Sequence, residues 1–182
     1  NYPFTTLHPQ LGIVDFPDRA GYSIVDIPGL IEGAAQGAGL GVQFLRHLSR
    51  TRVLLHLVDA SNEPGVPDIQ EQIRTIEAEL AQFDSGLLKS RPRWLVLNKI
   101  DVLNESDRAQ ALALAQTLAQ RVFTISAATR EGVPDLLNHI AQTVGYLRLD
   151  RRESSSYKLR LILAVTNDLG LQSCTNQHQK QG

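Results

Sequence analysis

The chain has no methionine, one cysteine (Cys174) and one tryptophan (Trp94). A lone cysteine excludes an internal disulfide framework and fits a reducing, cytoplasmic compartment. No apolar run approaches the roughly 20 residues of a membrane-spanning helix, and no signal-peptide pattern is visible. Charge of one sign is lacking too: 18 basic residues against 19 acidic leave a net charge of −1. That removes any global electrostatic reason to bind nucleic acid or a membrane surface, and leaves only local patches open. There is no internal repeat. What remains is a 182-residue chain, 42% hydrophobic, enough for one core-bearing domain and a short extra piece. The chain opens on Asn1, in residues that already read as a functional loop, so an N-terminal truncation is expected.

Five of the 13 glycines fall at Gly29, Gly33, Gly37, Gly39 and Gly41. A β-prone segment, Tyr22 to Ile27, runs into them, and a helix-capable one, Val42 to Arg50, follows. An acidic residue at a strand end (Asp26), then Pro28-Gly29 and a glycine-rich loop, suits a metal-and-phosphate site, because glycine lets the backbone approach an anion closely. Pro-Gly after a strand is also an ordinary turn. Both readings stand at this point.

Upstream, Asn1 to Pro9 reads as loop, since each proline biases the preceding residue away from helix. Leu11 to Phe16 and Tyr22 to Ile27 are expected to be antiparallel strands joined by a turn at residues 17–21. Downstream, Val53 to Asp59 is a continuous apolar run, typical of a strand buried on both faces. Ile69, Ile73, Ile76, Leu80 and Phe83 mark one face of a helix. Trp94 to Leu97 is a second buried strand, followed by a helix around Ala111 to Leu118. Val122 to Ile125 is a third strand, and Leu136, Leu137, Ile140, Val144 and Leu147 mark a last helix. This alternation implies βαβ units: an α/β fold with a mostly parallel sheet and helices on both faces. The domain is expected over residues 1–150. Residues 151–182 read as a linker and a tail of unknown fold, with a strand at Tyr157 to Val165 and a polar end.

In open parallel sheets, ligands bind where loops leave the C-terminal ends of the strands. Asp26-Ile27-Pro28-Gly29, Asn98-Lys99-Ile100-Asp101 and Ser126-Ala127-Ala128 all follow strands, so the connectivity should gather them on one rim. A carboxylate accepts two hydrogen bonds from a ligand with adjacent donors, and guanine offers such a pair where adenine does not. The aliphatic stem of Lys99 can cover a flat ring. The bland alternative makes Asp101 the cap of the next helix. His56, in mid-strand, is read as packed rather than catalytic. The arginines at 148, 151 and 152 are read as solvated, with RNA contact open.

Taken together, these residues resemble the Obg (CgtA) family of small GTPases. Tyr2-Pro3-Phe4-Thr5-Thr6 looks like a switch I and the Asp26–Ala34 run like a switch II. Asn98–Asp101 looks like the guanine-specificity motif, and Ser126–Ala128 like the last guanine-loop motif. The resemblance covers Asn1 to Leu147. It implies a P-loop NTPase G domain and a slow, Mg²⁺-dependent GTPase switch in the assembly of the large ribosomal subunit. GTP or GDP and, for the whole protein, ribosomal RNA would be its partners, with the protein a monomer. It implies that Thr6 ligates Mg²⁺ through its hydroxyl and that Phe4, Thr5, Thr6, Leu7 and His8 close over the nucleotide. Asp26 would hold Mg²⁺ through water, with Ile27, Pro28 and Gly29 beside the γ-phosphate. Asn98, Lys99, Ile100 and Asp101 would read guanine, and Ser126, Ala127 and Ala128 would complete the base pocket.

Two departures matter. Leu30 follows Gly29 where Ras-like GTPases place a water-orienting glutamine, which implies slow hydrolysis. The 182 residues also contain no G-x-x-x-x-G-K-[ST] phosphate loop. In the family that loop and its strand precede switch I, and the strand runs centrally, between those expected at Tyr22–Ile27 and Val53–Val58. The chain is therefore expected to lack its first, central strand and to leave two buried strand edges unpaired. Poor GTP binding, no hydrolysis and marginal folding are the corresponding expectations. The alternative is a degenerate G domain acting as a non-catalytic binding module.

Overall fold

The computed structural model describes residues 10–16, 21–28, 51–83, 91–146 and 161–166. Nine regular elements lie among them, besides a short 3₁₀ turn. Strand β1 (Gln10–Val14) pairs antiparallel with β2 (Tyr22–Pro28), as the tight connection requires. Then follow β3 (Thr51–Asp59), α1 (Ile69–Phe83), β4 (Arg93–Asn98), α2 (Glu105–Leu118), β5 (Val122–Thr124), α3 (Val133–Tyr146) and β6 (Leu161–Thr166). The six strands form one sheet in the order β1-β2-β6-β3-β4-β5, parallel except for β1.

The sheet is buried on both faces because β3 and β4 are apolar at most positions between their ends. In β4, Trp94 and Val96 point to one face, and Leu95 and Leu97 to the other. On the first face, Val53, Leu55, Leu57, Trp94 and Val96 meet Leu136, Ile140, Ala141 and Val144 of α3. On the opposite face, Val58, Leu95 and Leu97 meet Ile73 of α1 and Ala115 of α2. Ile76 and Leu80 of α1 are buried as their spacing predicts. The side chains of Asp68 and Asn104 accept the first-turn N–H groups of Glu71 and Asp107, fixing the starts of α1 and α2. Tyr22 ties β2 to α3 through a hydrogen bond from its hydroxyl to the Leu137 carbonyl.

The centre of the sheet differs from the sequence expectation. The edges of β2 and β3 are not left open. Strand β6 lies between them, pairing Ser23 through Pro28 with Leu161 through Thr166 on one side and Thr51 through Leu57 on the other. The physical reason is the sequence Leu-Ile-Leu-Ala-Val-Thr, a β-branched, apolar run suited to a fully buried parallel strand. A buried edge without partners would leave backbone N–H and C=O groups unsatisfied. Helix α3 runs back from the C-terminal side of the sheet, so β6 enters as the last strand of a βαβ unit. The 151–182 stretch thus contributes a central strand; Tyr157 to Arg160 lie outside the described residues. So do the loop at 1–9, the glycine run from Gly29 and the helix expected at Val42 to Arg50.

Candidate guanine-recognition site

The parallel strands all end on one rim. Asp59 closes β3 and Asn98 closes β4, paired in register. Pro28 and Thr166 close β2 and β6 beside each other. The motif residues 98–101 and 126–128 issue from neighbouring strands at this rim, as the topology requires.

Four contacts lock the two motifs and their flanks together. Asn98 is buried, and its Oδ1 accepts the Ala127 N–H at 3.0 Å. Ile125 donates its N–H to the Leu97 carbonyl at 2.8 Å, and Ile100 donates to the Ile125 carbonyl at 3.3 Å. Arg108, on α2, reaches across to Glu131 at 2.9 Å. Asn98 therefore acts first as a brace between the motifs. Ser126 is fully buried and orders its own loop: its Oγ accepts the Thr129 N–H, its N–H goes to the Glu131 carbonyl, and its carbonyl takes the Arg130 N–H. Ala127 is half-buried and Ala128 exposed, the rim of a pocket rather than its floor.

Asp101 lies on the 3₁₀ turn Ile100–Val102 and is exposed, while Ile100 is buried and anchors the turn. The helix-cap role goes to Asn104, which accepts the Asp107 N–H and also donates to its carboxylate. Among the described residues Asp101 has no hydrogen-bond partner. The bland reading of Asp101 as a cap is thereby corrected, and its carboxylate stands available to a ligand. Lys99 takes a left-handed backbone, φ 64° and ψ 33°, and its ammonium lies 2.7 Å from Asp59 Oδ2 and 3.9 Å from Glu63 Oε2. The Asp59 carboxylate beside it raises Lys99 above the ordinary lysine range, so the ammonium stays charged.

Sequence reasoning missed Asp59, Gln72 and Gly132. Gly132 has φ +70°, and a Cβ there would collide with the Thr124 carbonyl, so only glycine closes the turn from Ser126 into α3. Asp26, Ile27 and Pro28 belong to β2, Asp26 two residues before its end; Phe4 to His8 and Gly29 lie outside the described residues. Thr6, one of the two residues expected to hold Mg²⁺, lies outside the described residues; a hydroxyl and a carboxylate, as Thr6 and Asp26 carry, are the hard oxygen donors that suit that ion. Among the described residues no group of three or more His, Cys, Asp or Glu could hold a metal ion, and no helix is long and apolar enough to cross a membrane.

A family model described as 50S ribosome-binding GTPase matches residues 1–99, more than half of the chain. The chain belongs to this GTPase family. The match spans Tyr2–Thr6 and Asp26–Gly41 and stops inside the Asn98–Asp101 motif. Solved structures of similar fold include Era from Aquifex aeolicus bound to GDP and AlF₄⁻, at 19% identity and TM-score 0.54, covering 74% of this chain and 44% of that one. Another is Era in complex with MgGDPNP and a segment of 16S ribosomal RNA, also at 19% identity and TM-score 0.54, covering 84% of this chain and 47% of that one. The GTPase chain thus spans under half the length of both, and at this identity they show the fold alone. That fold is the P-loop GTPase G domain, with its parallel sheet and flanking helices.

Proposed function

We propose that this chain is the guanine-reading part of an Obg-type, Mg²⁺-dependent GTPase switch acting in assembly of the large ribosomal subunit. The observation that carries the base assignment is Asp101: exposed, without a hydrogen-bond partner among the described residues, and presented beside the locked Asn98–Ala127 pair. A carboxylate there accepts N1–H and N2–H of guanine together, while the Lys99 stem covers a ring face. Membership of a ribosome-binding GTPase family supports the ribosome as partner. The Mg²⁺ would be held by Thr6 and Asp26, and when bound it offsets phosphate charge. Loss of the γ-phosphate would release the loops at residues 4–8 and 29–41, a change that a partner can read.

The sequence contains no G-x-x-x-x-G-K-[ST], which favours a second reading in which this chain binds the base without a phosphate cradle. Titration with guanosine, GMP, GDP, GTP and ADP distinguishes them. Weak, guanine-selective binding that scarcely rises with phosphate number is expected, and tight GTP binding refutes the second reading. Asp101→Asn should exchange guanine for xanthine preference, because an amide can accept N1–H and donate to the C2 carbonyl. An unchanged base preference would remove Asp101 from the site. For the partner, co-sedimentation with large ribosomal subunits should differ between GTP and GDP; equal sedimentation sinks the switch.

A further inference from the structure

Lys99 is held more firmly than a surface lysine. Its ion-pair partner, Asp59, ends β3 with its side chain 4% exposed. Asp59 Oδ1 accepts the Ser61 N–H at 2.9 Å, and among the described residues Oδ2 has no partner besides the Lys99 ammonium. The Asp59 backbone is fixed in turn by Gln72 of α1, which is 1% exposed. Gln72 Oε1 accepts the Asp59 N–H at 2.9 Å, and its Nε2 donates to the Asp59 carbonyl at 2.8 Å and to the Pro67 carbonyl at 2.7 Å. One glutamine amide pairs with both backbone groups of Asp59, as a neighbouring strand would. Asp59 therefore cannot turn away from Lys99 without breaking buried hydrogen bonds.

We propose that Asp59, clamped by Gln72, is a positioning residue that pins Lys99 with its aliphatic stem as a wall of the base pocket. The proposal rests on reading Asn98–Asp101 as the guanine site. An unpinned lysine samples many rotamers, and ordering it on binding costs affinity. The left-handed turn at Lys99 supplies the backbone half of the same constraint: the chain reverses there, and the side chain is drawn back over the end of β3. A stem that covers a ring face does not read the ring's edge. Loss of the pin should weaken every purine that the pocket accepts by one factor, whereas loss of Asp101 changes which base is accepted.

The test uses the full chain with GDP and inosine diphosphate as probes. Asp59→Asn keeps the shape and the backbone clamp but not the ion pair. It should weaken both ligands about 5- to 10-fold, a loss typical of leaving one long side chain to be ordered on binding. In a Lys99→Met background the same substitution should cost nothing more, since the two act as a unit. An equal loss in that background, or no loss in the parent, overturns the proposal. The pin is also read without nucleotide, from the order of the ¹⁵N-labelled Lys99 ammonium by NMR. Order lost in Asp59→Asn is expected; a Lys99 as mobile in the parent as in the variant overturns it. A parent chain that prefers GDP no more than ADP sinks the base-site reading, whatever the NMR shows of the pin.

Discussion

Burial of His56 makes the stability of this chain depend on pH. The ring is fully buried in β3, and among the described residues neither nitrogen has a hydrogen-bond partner. Desolvation, with the positive charge of Arg93 nearby, lowers its pKa from 6.5 to about 3. Between those values the unfolded chain takes up a proton that the folded chain refuses. The contribution of neutral His56 is therefore intact above about pH 6.5 and declines as pH falls toward 3, by up to about 1.4 kcal/mol per pH unit. His56→Leu should raise the melting temperature and flatten urea stability measured between pH 6.5 and 4; an unchanged slope would assign the acid sensitivity elsewhere. Gly132→Ala should cost about 2 kcal/mol or more by urea denaturation, because a left-handed alanine is strained and its Cβ meets the Thr124 carbonyl. At this scale the motif residues were legible: Asn98, Lys99 and Asp101 stand together in sequence, and Asn98 meets Ala127, next to Ser126, in space. Asp59 and Gln72 were not, because their roles depend on contacts between strand, loop and helix. A faint signal existed. Gln72 sits three residues after Ile69 and one before Ile73, a polar residue on the apolar face of α1.

Among the elements, those with strong periodicity were readable from the sequence to within a few residues. Helix α1 starts at Ile69 and ends at Phe83, and β3 extends the expected run by only two residues, to Thr51. The 3₁₀ turn at Ile100–Val102 was not readable, since it arises from the left-handed Lys99 and the buried Ile100 rather than from a pattern. Strand β6 was legible as a strand but not in its place. Its partners lie far away in sequence, and nothing local encodes which edges it joins. Ala164 pairs with Asp26 on one side and Leu55 on the other. Ala164→Pro should therefore destabilise the chain by about 3 kcal/mol or more, through ring clash and a lost ladder bond. Hydrogen exchange should show protection lost in β2 and β3 together. Protection retained in both strands would mean that β6 is dispensable to the sheet.

For the whole molecule, the fold class was the most legible feature, because alternating apolar runs and amphipathic segments admit few other arrangements. The sheet gathers residues 98–101 and 126–128 on its rim, while α3 covers one face and α1 with α2 the other. Within the hydrogen-bonded ladder of described strands, β6 alone joins the β1–β2 hairpin to β3, β4 and β5. Denaturation by urea should nonetheless be a single transition, since Tyr22 of the hairpin shares a core with α3 and the central strands. Two resolved transitions would show that the hairpin is an independent unit.

The position of β6 also sets an order of events. A chain made from its N-terminus exposes Ser23 and Thr51 long before Leu161, the residue that pairs with both. Until β6 emerges, the hairpin and the β3–β4–β5 layer can form, but the ladder pairs that β6 makes with both are missing. Closure then requires contacts between residues distant in sequence, the slowest kind to form. In this 182-residue chain, the N–H and C=O groups of β2 and β3 that β6 pairs are open to any other strand until residue 166 appears, and that interval exposes both edges to aggregation or to a chaperone.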